Sequence, residues 1–152
     1  MTFLSPIAAD TFKVIDYIEG YEKQITAIEP FFTLEGRKLV EICQNLPKEM
    51  YNFKRMAGEL KSMHELIELR RDEHEGKKYK ALNESNHRSL GAKDIQQYIK
   101  GDKEYVDLSE LMLEISFLRQ KVASVLEAMD IMHWQMSNVT KLHVASIEQT
   151  VL

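Results

Sequence analysis

From Asp107 to Val139 the chain carries apolar side chains at alternating spacings of three and four. They are Leu108, Leu111, Ile115, Leu118, Val122, Val125, Met129, Met132, Met136 and Val139. Such a heptad seam specifies a helix that packs lengthwise against other helices. No Gly or Pro follows Gly101, so nothing in the sequence interrupts it. Asp107-Leu-Ser-Glu110 reads as a capping box at its start. Burying a Leu, Ile, Val or Met stabilises a fold by about 1.5–3 kcal/mol, so a seam of this length must be covered. Met112, Leu113, Leu126 and Trp134 widen the apolar surface beyond what one partner helix covers. The pattern therefore predicts self-association along this helix, in preference to the core of a monomeric bundle. Adaptable methionines at its distal end suit a ring or an uneven oligomer.

The remaining chain also reads as helix. Ser5-Pro6 and Asp10-Thr11 are candidate starts for an N-terminal element carrying Phe12, Ile15, Ile18, Ile25 and Ile28. This element is interrupted near Gly20 and ends at Glu29-Pro30. Thr33-Leu34-Glu35-Gly36 opens a second pattern, which Pro47 stops or kinks. A long helix from Pro47 to Glu75 follows, with Met50, Phe53, Ala57, Leu60, His64 and Ile67 as its seam, Arg71 and His74 in register, and Gly76 as its end. Residues 76–93, GKKYKALNESNHRSLGAK, lack a period and read as a loop; residues 94–100 make a short helix closed by Gly101.

No strand-length alternation appears. The expected fold is all-α: one domain built as a long antiparallel helical hairpin with a basic connecting loop, oligomerising through its heptad-patterned C-terminal helix. Its expected parts are an N-terminal helical element (1–30), a first long arm (31–75), the basic loop and short helix (76–101), and an oligomerisation helix (102–152).

With 44% hydrophobic and 29% charged residues, the 152-residue chain has an ordinary globular composition. Cys43 is its one cysteine and reads as core; a disulfide framework is excluded and a reducing compartment expected. No signal peptide and no bilayer-spanning run is read. Neither a phosphate-cradling Gly-rich loop nor a Cys–His nucleophile is apparent. Of the metal-ligand spacings, only Glu84-x-x-His87 matches a carboxylate-bundle motif, and it falls in the loop. The chain is therefore expected to need no metal or cofactor, and neither nucleotide hydrolysis nor thiol catalysis is expected of it.

Charge is distributed unevenly. Lys77, Lys78, Lys80, Arg88 and Lys93 set against Glu84 give residues 77–93 a formal +4; with the whole chain at −4, the remainder carries −8. The asymmetry suggests a localised anion site on an acidic body. Lysines can track a phosphate backbone while Tyr79, bracketed by Lys78 and Lys80, stacks on a base. The candidate nucleic-acid contacts are Arg70, Arg71, Lys77, Lys78, Tyr79, Lys80, Arg88 and Lys93. An oligomer would present several such loops to one strand.

The run DIQQYIKGDKEYVDLSELML, residues 94–113, resembles the UvsY-like recombination mediators of bacteriophages, and the continuation to Leu152 is similar to that family's C-terminal helix. The segment RRDEHEGKKYKAL supplies the basic element before it. The resemblance implies a small all-helical protein that forms rings of six or seven subunits and binds single-stranded DNA without enzymatic activity. It further implies that the protein helps a RecA-like recombinase load onto DNA covered by single-strand-binding protein, in the cytoplasm of an infected bacterial host. The family's contacts fall on Arg70 and Arg71, and on Lys77, Lys78 and Lys80. Asp72, Glu73 and Glu75 dilute this cluster. Residues 1–30 have no counterpart, and are left to cover part of the site, contact a partner or complete the fold. The alternative is a non-catalytic helical scaffold that binds another protein, with the basic loop as solvated surface.

Overall fold

The structure is a computed structural model; it describes the backbone of residues 3–85 and 90–150, and side chains to residue 146. Among these residues there are five α-helices and no strand: α1 (Ser5–Ala9), α2 (Val14–Ile28), α3 (Leu39–Ser85), α4 (Ala92–Lys100) and α5 (Lys103–Thr150). Turns of 3-10 helix occupy Thr11–Lys13 and Glu29–Phe32. The all-α class is as expected from the spacing of apolar residues, and among the described residues no helix is long and apolar enough to cross a membrane.

Several boundaries differ from those the sequence suggests. Gly20 does not interrupt α2, and Thr33–Gly36 is a turn and not a helix start. Gly36 has φ of 74°, a left-handed conformation incompatible with helix, and the Arg37 N–H donates to the Leu34 carbonyl at 3.3 Å. Pro47 lies inside α3 and does not stop it. Ile42 and Leu46 before it and Phe53 after it are all buried, so packing on both sides offsets the hydrogen bond that proline forfeits.

Residues 76–85, expected as part of a loop, are the end of α3. Gly76 lacks the positive φ of a helix terminator. The residues after it include good helix formers (Lys, Ala and Leu), and an interior glycine costs only about 1 kcal/mol, which a long packed helix absorbs. A Cβ at Gly76 would meet nothing within 4 Å. Gly76→Ala is therefore expected to raise stability in urea by about 1 kcal/mol; were Gly76 a C-terminal cap, the substitution would lower it.

α5 likewise starts earlier than expected, so Asp107 and Glu110 lie within the helix and form no capping box. Asp107 accepts instead from Lys103 Nζ at 2.9 Å, which raises the Lys103 pKa. α4 is closed by Gly101 as expected but starts two residues earlier, at Ala92; it buries Ile95 and Ile99, although Tyr98 faces solvent.

The chain divides into two compact units, Met1–Ile18 with Glu59–Leu118 and Glu19–Gly58 with Arg119–Leu152. In the first, Ile7 and Val14 are buried together with Leu60, Met63 and Ile67 of α3, Ile95 and Ile99 of α4, and Leu108, Leu111, Ile115 and Leu118 of α5. In the second, Tyr21 and Ile28, Ile42, Leu46, Phe53 and Met56, and Val122, Met129, Met132 and Met136 are buried. Met56 and Met63 hold seam positions of α3, where the sequence suggested Ala57 and His64. Cys43, expected in the core, is exposed.

Eight of the ten α5 seam residues are thus buried within one chain; Val125 is half-buried and Val139 exposed. Apart from Val139, the large apolar side chains that α5 leaves in solvent among the described residues stand off the seam: Val106, Leu113, Phe117, Ile131, Trp134, Leu142 and Val144.

Candidate nucleic-acid interface

The sequence-derived cations do not share one loop. Arg70, Arg71, Lys77, Lys78, Tyr79 and Lys80 all lie on α3, Lys93 is exposed in the first turn of α4, and Arg88 falls outside the described residues. Successive residues of an α-helix turn by about 100°, so Lys77, Lys78, Tyr79 and Lys80 point in four different directions. Tyr79 is exposed but is not flanked by lysines on a common face.

Three of the cations are engaged within the first unit. Arg70 donates through Nη1 to Glu73 Oε2 at 2.9 Å and through Nη2 to the Ala8 carbonyl at 3.2 Å. Arg71 reaches Asp72 Oδ1 at 3.3 Å and lies 5.7 Å from the centre of the Tyr105 ring. Lys78 Nζ meets Asp102 Oδ1 at 2.9 Å. By contrast Lys80 stands 3.9 Å from Glu84 with both side chains largely in water, a pairing of little energetic weight. Lys77 and Lys93 are exposed and have no ion pair among the described residues.

The residues that organise this end of α3 include two acids to which the sequence drew no attention. His74 Nε2 is 2.6 Å from Asp102 Oδ2, and His74 Nδ1 is 3.2 Å from Glu104 Oε2. Asp102 directly precedes α5, and its carbonyl accepts the Val106 N–H at 3.0 Å, which fixes it at the helix start. The hydrogen bond from Lys78, and next that with His74, hold the Asp102 carboxyl at about 2, below its ordinary 3.8. No spacing rule could have found this contact, because 28 residues separate His74 from Asp102.

A depression of about 310 Å³ adjoins the clasp, and Asp10, Phe12, Arg70, His74, Lys77 and Glu104 line part of it. The N-terminal segment therefore reaches the basic end of α3: Ala8 accepts from Arg70, and Asp10, which also caps its own 3-10 turn through Phe12 N–H at 3.1 Å, adds a carboxylate. The arrangement offers an exposed lysine flank beside a set of cations already neutralised internally. Among the described residues no group of three or more His, Cys, Asp or Glu is placed to hold a metal ion. No family model, curated protein or solved structure matches this chain.

Proposed function

We propose that the protein is an oligomeric, single-stranded DNA-binding recombination mediator that helps load a RecA-like recombinase onto DNA covered by single-strand-binding protein. It acts without catalysis and is placed in the cytoplasm of an infected bacterial host. The resemblance of residues 94–152 to the UvsY-like mediators motivates this reading. The observation that carries it is the exposure of Lys77 and Lys80 on the last turns of α3 in a chain of net charge −4. Such a flank would track phosphates without reading sequence. The antiparallel hairpin of this reading is supported by two contacts within the first unit: Arg71 lies over Tyr105, whereas Lys78, further along α3, reaches the earlier Asp102. Association between copies runs through the exposed apolar side chains of α5, since its seam is largely occupied within one chain.

The test is anisotropy of a labelled single-stranded oligonucleotide titrated at several salt concentrations. Replacing Lys77 and Lys80 together with Ala is expected to weaken binding on the order of tenfold at low salt. The log–log salt slope should become shallower by about 0.7 per lost contact. Unchanged affinity would move the interface off α3. A second reading, a helical protein-interaction module, is favoured by Leu113, Phe117, Ile131 and Trp134, each more than half exposed on α5. Recovery of a bound protein in the absence of nucleic acid, with no strand binding at low salt, would favour it.

A further inference from the structure

The lysines at the end of α3 differ in what they already hold. Lys77 has no ion pair among the described residues, whereas Lys78, one position on, has its ammonium on Asp102. Both Asp102 oxygens face α3: Oδ1 takes Lys78 Nζ at 2.9 Å and Oδ2 takes a His74 ring nitrogen at 2.6 Å. Two anionic oxygens set against a lysine and an imidazole are the contacts that a backbone phosphate would make with the same pair. The contact is open to competition, because Lys78 is 46% and Asp102 23% exposed in their side chains. The low Asp102 pKa keeps the carboxylate charged wherever the protein is expected to work.

We infer that Asp102 is an internal competitor for the strand, occupying Lys78 and His74 so that bound DNA gains these two groups only by displacing its carboxylate. This rests on the reading of the α3 end as a nucleic-acid interface. In the resting chain the strand is then held by Lys77 and Lys80 without Lys78. Freeing Lys78 would add one phosphate contact and remove one of the ties between α3 and the start of α5, leaving the His74–Glu104 and Arg71–Tyr105 contacts.

The experiment combines Asp102→Asn, which removes the charge at nearly constant shape, with Lys78→Ala, alone and together. The readout is anisotropy of a labelled oligothymidylate, after circular dichroism has checked helix content. Asp102→Asn is expected to tighten binding about fivefold and steepen the log–log salt slope by about 0.7. Lys78→Ala alone should change affinity less than about twofold, and in the Asp102→Asn background it should abolish the gain. Failure of Asp102→Asn to tighten binding overturns the inference while leaving the interface in place, provided the parent chain binds through Lys77 and Lys80. A gain that survives Lys78→Ala also overturns it, since that marks a general effect of charge. No binding by any variant at low salt removes the interface and the inference together. Should Asp102→Asn lose helix content, amine acylation of the unaltered chain decides: added strand should protect Lys77 and leave Lys78 unchanged. Equal new protection of both lysines would sink the proposal.

Discussion

Ile115→Ala is expected to lower the stability of the chain by about 2–5 kcal/mol. Ile115 is fully buried as the third residue of the α5 seam, in a unit where Leu60, Met63 and Ile67 are also fully buried. Truncation removes apolar contact and leaves a cavity that surrounding helices fill only partly, and both effects act in the same direction. Val139→Ala is the matched control. It too removes part of a seam residue, but from a side chain 47% exposed, and should cost less than about 0.5 kcal/mol. Urea unfolding followed by circular dichroism distinguishes them. Equal, small losses would mean that the seam is not core within one chain.

Next in size is His74→Ala, expected to cost about 2 kcal/mol. The ring is 11% exposed in its side chain and stands between the carboxylates of Asp102 and Glu104. Without it Asp102 keeps Lys78 alone, and two acids lose the group between them. Acid should weaken the same clasp. The Asp102 carboxyl titrates at about 2 in the folded chain against 3.8 ordinarily. A depressed pKa contributes stability that is complete above the ordinary value and is lost as pH falls through the lower one. The parent chain should therefore lose more stability than Asp102→Asn between about pH 4 and pH 2. Parallel acid titrations of the two would show that Asp102 contributes nothing.

The helical class was legible because three-four spacing survives in any context, and α5 has little else to interrupt it. α4 was legible for a related reason: Ile95 and Ile99 lie one turn apart and Gly101 closes it. The errors come from single residues read as punctuation. Pro47 and Gly76 each lower helix propensity, but within α3 that local cost is met by packing over a long helix. The basic residues were legible as a run and misleading as a cluster, because treating residues 76–85 as loop placed on one surface what a helix distributes around its axis. The Asp102 contacts were not legible at all. They join side chains remote in sequence, and nothing about a lone aspartate beside Gly101 announces which cation it will meet.

Trp134, the chain's only tryptophan, is 66% exposed on α5. Its indole is already in water in the folded state, so unfolding will barely shift the colour of its intrinsic emission. Anything that settles on that side of α5 will move the emission toward the blue. The protein thus carries an optical reporter that is nearly silent to denaturation and responsive to contact, and it can register assembly without an added label.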